Sequence, residues 1–121
     1  MIGEVLPELA GKVSGIAIRV PVPNVSLVDL NVVVGQDVTT KALATAFQKA
    51  EENGLKGILR CEAEPLVSID FNHDPASAVV DLPELRVVDN RHVQVLAWYD
   101  NEWAYSKRTA ELLMRIWQTD E

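Results

Sequence analysis

The chain is 121 residues long, a length that suits one domain. Hydrophobic residues make up 48% of it, enough for a core, and the formal net charge of −7 comes from scattered acidic side chains. That sign argues against a nucleic-acid or anionic-membrane partner. The single cysteine, Cys61, excludes an internal disulfide and suits a reducing compartment. The N-terminus has no basic region, and Glu4, Pro7 and Glu8 interrupt its apolar residues, so it does not read as a signal peptide. No apolar run is long enough to span a bilayer. These features together predict a soluble cytoplasmic protein.

In chain order, Ile2 to Leu9 reads as a short helical end stopped near Ala10-Gly11. Lys12 to Val20 is predicted to be a strand, and Pro21-Val22-Pro23-Asn24 a stiff turn. Val25 to Val34 is strongly β in composition, which predicts an antiparallel neighbour for the preceding strand. Thr39 is the expected N-cap of a helix over Lys41–Asn53, with Leu43, Ala46, Phe47 and Ala50 as its apolar stripe and Asn53-Gly54 as its stop. Short strands are predicted over Gly57–Cys61, Ala78–Asp81 and Arg86–Val88, the last two split by Leu82-Pro83-Glu84. Leu66 to Asp70 reads as extended and Phe71 to Pro75 as a turn. His92 to Tyr99 alternates as a strand, and Trp103 to Trp117 carries helical spacing, with fraying expected over 119–121. No repeat or interdomain linker is present.

Few residues carry recognisable chemistry. Cys61 lies in an apolar strand, where a lone thiol is usually a small buried hydrophobe. His73, flanked by Asp70 and Asp74, reads as a turn-bonded or solvated group, and neither it nor His92 sits at transition-metal spacing. The six glycines form neither G-x-G-x-x-G nor a P-loop, so a dinucleotide-binding Rossmann half is not encoded here. Asp100 and Asn101 fall between a strand end and a helix start, where polar side chains either cap the helix or meet a ligand.

Three stretches resemble one family. Trp98-Tyr99-Asp100-Asn101-Glu102-Trp103 with Tyr105, Ser106 and Arg108 looks like the last strand-to-helix junction of the phosphorylating glyceraldehyde-3-phosphate dehydrogenases, although Ala104 stands where the family usually has Gly. Arg19-Val20-Pro21, Pro23-Asn24-Val25-Ser26 and Val28-Asp29-Leu30 match a second stretch, and Val67-Ser68, Asp70 to Pro75 and Ser77 fit a third. The resemblance covers nearly the whole chain, but only the C-terminal part of the family's catalytic domain. It implies an α+β fold, a mixed, mainly antiparallel sheet with helices packed on one face, with the Rossmann NAD-binding domain absent.

The resemblance further implies that Asn101 holds the nicotinamide carboxamide with Tyr105 nearby, and that Arg19 contributes to a phosphate site. An amide offers a donor and an acceptor to a primary amide, and a guanidinium offers a planar fork to phosphate. On pattern alone, Arg19 could instead face solvent or pair with Asp29. The family's nucleophile motif, Ser-Cys-Thr-Thr-Asn, does not occur, Cys61 does not match it, and the base lies upstream of the region matched, so no catalytic residue and no metal ligand is expected.

The reading is therefore a fragment of an NAD-dependent (or NADP-dependent) dehydrogenase that oxidises an aldehyde to an acyl phosphate, inactive alone and holding no cofactor tightly. Erythrose-4-phosphate dehydrogenase is an alternative parent, and a stand-alone assembly module an alternative of another class. Val28, Leu30, Val32 and Val34 leave a sheet face too apolar to be plainly solvated, so a homo-oligomer through that face is expected. Arg19 and Asn101 should lie at one rim of the sheet, within about 15 Å, roughly four extended residues.

Overall fold

A computed structural model describes residues 2–119, opening with the short helix α1 (Ile2–Val5). Its centre is β5 (His92–Tyr99), whose two edges are both used. One edge pairs antiparallel along its whole length with β1 (Ser26–Val33). The other takes β3 (Ala78–Asp81) near Trp98 and β4 (Arg86–Val88) near Val93, both antiparallel. β2 (Leu59–Glu62) adds on parallel to β3. The fold is thus α+β with a mixed, mainly antiparallel sheet, in the order β1-β5-β3-β2 with β4 beside β5.

Strand side chains alternate between faces, and the register sorts them. Val93, Val95 and Val80 share one face, which α2 (Thr40–Glu52) covers with Leu43, Ala44 and Phe47. Thr39 caps α2 as expected, its Oγ1 accepting from the Ala42 N–H at 3.2 Å. At the other end the Asn53 side chain donates back to the Lys49 carbonyl at 2.7 Å. The buried stripe is rotated slightly from its expected position: Ala44 packs, whereas Ala46 is exposed. On the opposite face Val79 and Trp98 pack with Phe71, Ala76 and Val25. The Phe71 and Trp98 rings stack at 5.5 Å, and the Trp98 indole N–H donates to Asp81 at 3.0 Å.

α3 (Asn101–Thr119) starts directly after β5. Its second turn is tied back by Arg108, whose guanidinium donates to the Gly57 carbonyl at 3.0 Å and to Glu111 at 3.1 Å. Beyond that, Leu112, Leu113, Met114, Ile116 and Trp117 are all exposed. The fraying expected of the last residues cannot be followed, since Asp120 and Glu121 lie outside the described residues.

Two expectations are corrected. Lys12 to Val20 joins no ladder, and β1 pairs with β5 rather than with it. Its alternation is β-like, but a strand is defined by a hydrogen-bonding neighbour, and Ile16 is 89% exposed. Leu66 to Asp70 is extended only in part: Val67 is, but Ser68–Phe71 forms a short 3-10 turn, because Asp70 reaches back to accept from the Val67 N–H at 2.8 Å.

Candidate functional site

The site grows from the junction of β5 and α3. Backbone N–H groups in a helix's first turn have no partner within the helix. Asp100 supplies one, its Oδ1 accepting from the Trp103 N–H at 3.0 Å. Its other oxygen does something a local cap need not do. Oδ2 accepts from the Asn24 side-chain N–H₂ at 2.9 Å and from the His73 backbone N–H at 2.9 Å. Asn24 also donates to Asn72 Oδ1 at 2.7 Å. One carboxylate, 1% exposed, therefore joins α3, the turn before β1 and the turn after the 3-10 segment.

Burial alone would raise the Asp100 pKa. The two backbone N–H groups, the Asn24 amide and the nearby His73 outweigh it and hold the carboxyl below its ordinary value. The His73 imidazole lies over the Trp103 indole, ring centres 4.3 Å apart. With Pro23 and Glu102 these residues line an open cleft of about 390 Å³. The His73 turn is anchored from behind as well: Asp74 Oδ2 receives both Arg60 Nε at 3.0 Å and Arg60 Nη2 at 2.8 Å. Burial works against the Arg60 charge, but Glu62 and Asp74 outweigh it and raise its pKa further.

Asn101 is the first residue of α3, exposed and next in the chain to Asp100, but it is not among the residues that line the cleft. Tyr105 lies one turn on, on the same side of the helix, and is also exposed. Arg19 is exposed in the unpaired segment, five residues before Asn24. The alternative pairing of Arg19 with Asp29 is not formed: Asp29 accepts instead from Asn31 and Gln94, each at 2.8 Å. Ala104 is buried and helical, its N–H donating to the Asp100 carbonyl at 3.0 Å, so a methyl group is accommodated where Gly was expected.

Cys61 packs at the edge of the core under α2, and its N–H donates to Glu51 at 3.2 Å. Burial, then the adjacent Glu51 carboxylate, pushes the thiol pKa up to about 11. That is the opposite of what activates a nucleophile. Among the described residues, no cluster of three His, Cys, Asp or Glu side chains could hold a metal ion, and no helix is long and apolar enough to cross a membrane.

Sequence reading left open whether Asp100 and Asn101 cap the helix or meet a ligand; the structure gives the cap to Asp100, whose reach to Asn24 and His73 was missed. The only signal in the sequence was indirect, the presence of Asn24 in one short turn segment and of Asn72 and His73 in another.

The fold and junction are those of a dehydrogenase catalytic domain. Residues 1–101 match the model of the glyceraldehyde 3-phosphate dehydrogenase C-terminal domain, and the chain belongs to that family. It is 51% identical over 112 residues to glyceraldehyde-3-phosphate dehydrogenase 2 of Bacillus subtilis, covering 93% of this chain and 33% of that protein. The namesake from Staphylococcus aureus is 50% identical over 113 residues, 93% of this chain and 32% of the relative. For that of Staphylococcus epidermidis the figures are 50% over 115 residues, 95% and 33%. The chain thus spans about a third of the length of these relatives.

Proposed function

We propose that this chain is the cofactor- and phosphate-facing C-terminal part of an NAD- or NADP-dependent glyceraldehyde-3-phosphate dehydrogenase, which oxidises an aldehyde to an acyl phosphate. The observation that carries the reading is Asn101, an exposed carboxamide in the first turn of α3 beside Tyr105. A primary amide can donate to and accept from the nicotinamide carboxamide at once, so the residues present fit the cofactor. When bound, that cofactor supplies the hydride acceptor. Asn101 and Tyr105 orient the ring, and Arg19 offers its guanidinium fork to phosphate. The chain brings no nucleophile of its own, because Cys61 is held protonated, and it is inactive alone.

The test is a chimera in which this chain replaces the matching third of the Bacillus subtilis relative. Turnover of glyceraldehyde 3-phosphate is expected, with Asn101→Ala raising the KM for the nucleotide and Arg19→Ala the KM for phosphate. A folded chimera without turnover overturns the reading. Oligomerisation belongs to the same proposal: Val28, Leu30 and Val32 form an exposed apolar row on β1, suited to a second copy. Sedimentation showing a monomer at high concentration would remove it.

A further inference from the structure

We infer that Asp100 and Asn24 are positioning residues, a clasp that fixes the arm carrying Arg19 against the helix start carrying Asn101. The inference rests on the dehydrogenase reading for its purpose and on geometry for its substance. The arm before Asn24 joins no ladder, so the sheet fixes only its far end, where Ser26 pairs with Tyr99 two residues past Asn24. Its side-chain tether is Asn24, which spends both amide hydrogens, one on Asn72 at 2.7 Å and one on Asp100 at 2.9 Å. Asp100 is in turn fixed by the Trp103 and His73 N–H groups, at 3.0 and 2.9 Å. From Asn24 to Arg19 the chain reaches at most about 18 Å, so the clasp bounds where the guanidinium can go.

Backbone strain marks the same place. Val25 has φ 68° and His73 has φ 65°, both in the left-handed region. That region disfavours a side chain with a β-carbon, and a β-branched one most. Val25 follows Asn24 directly, and the His73 N–H itself binds Asp100. Two strained non-glycine residues thus flank one carboxylate. Strain of this kind persists only where the surroundings over-determine the conformation, and it gathers at functional sites. Val25 is buried among Phe71, Ala76 and Val79, and His73 is stacked on Trp103.

The experiment uses the 121-residue chain with a nitroxide attached through Arg19→Cys in a Cys61→Ala background. Paramagnetic broadening is read at the amides of Asn101 to Tyr105. Broadening is expected with Asn24 intact and is lost in both Asn24→Ala and Asn24→Asp. The Asp substitution keeps the shape of Asn24 but removes both amide donors and sets a second carboxylate against Asp100. The Ala substitution removes the donors without adding charge, so an effect common to both follows the lost donors. The α3 cap does not use Asn24, so exchange of the Trp103 amide should stay as it was. Unchanged broadening in Asn24→Asp, or none with Asn24 present, overturns the inference. The measurement needs no turnover: a failed clasp leaves the dehydrogenase reading standing, and an inactive chimera leaves the clasp standing.

Discussion

β1 and β5 are paired residue for residue, yet they live in different environments. Val93 and Val95 of β5 are buried, whereas all eight residues of β1 are exposed. Both sequences are apolar enough to be core strands. The difference lies in what covers them. β5 has a strand on each edge, α2 above Val93 and Val95, and Phe71 against Trp98. β1 shares the Val93 face through Val28, Leu30 and Val32, but α2 does not extend over it. Apolar composition makes a strand available for burial, and its neighbours decide whether burial happens.

Core substitutions should show this contrast most strongly. Phe71 is 1% exposed and stacked on Trp98, so Phe71→Ala should cost about 3–5 kcal/mol through lost burial and the cavity left behind. In the dilute monomer Leu30→Ala on β1 should cost under about 1 kcal/mol, since an exposed side chain leaves no cavity. The cost should rise with concentration as the proposed second copy covers the strand. Urea unfolding of both variants across protein concentration measures the difference, and a Leu30→Ala cost that stays small at high concentration counts against the second copy.

The clasp comes next. Asp100→Ala removes a helix cap, about 1 kcal/mol, and strands the His73 N–H and the Asn24 amide. The total expected is about 2–3 kcal/mol. Because the folded state holds the Asp100 pKa below its unfolded value, its contribution is fully present above the ordinary carboxylate range. It is lost as pH falls through the depressed folded value. Asp100→Asn should therefore flatten the acid limb of a stability-against-pH curve. An unchanged limb would show that other carboxylates dominate acid unfolding.

How much of this could be read beforehand follows the same division. Local rules worked where the cause is local. Thr39 before a helical stripe, Asn53-Gly54 after it and Asp100 at the strand-to-helix junction each act within a turn of themselves. The Arg19 arm misled because alternation from Val13 to Val20 is a property of the segment, whereas a ladder needs a partner elsewhere. Asp70 misled for a different reason: its side chain competes with the backbone and turns an extended-looking stretch into a 3-10 helix. The bonds from Asp100 to Asn24 and to His73 span 76 and 27 residues, and no periodicity reports a contact at such separations.

His73 allows a finer cut between strain and contact. A left-handed φ costs an ordinary residue about 1–2 kcal/mol, and a stacked ring pair returns about 0.5–1.5 kcal/mol. His73→Ala keeps the strain and loses the ring, so it should destabilise by about 1 kcal/mol. His73→Gly loses the ring but also the strain, so it should sit within about 0.5 kcal/mol of the parent. Denaturation midpoints order the three. If the Gly variant is the weaker of the two, the left-handed conformation is not costly here and the strain argument for the Asp100 clasp loses a support.

The smallest effect on stability is expected at Cys61, on the covered side of the comparison. Its folded pKa of about 11 lies above the ordinary thiol value, first through burial and then through Glu51. A raised folded pKa contributes stability that is complete below the unfolded pKa and is lost as pH rises toward the folded one. Stability should therefore decline on the alkaline side, and Cys61→Ala should remove that part of the decline. Reactivity gives the sharper reading. At pH 8 a thiol with an ordinary pKa near 8.5 has roughly two hundred times the thiolate of one near 11. The more basic thiolate is intrinsically more nucleophilic, which takes back about tenfold. Disulfide exchange at Cys61 should thus run at least about tenfold slower than at a free thiol of the unfolded chain. Glu51→Gln, which removes the adjacent charge and leaves the burial, should recover only part of that factor. Full recovery would make Glu51, not the covering by α2, the cause of the thiol's inertness.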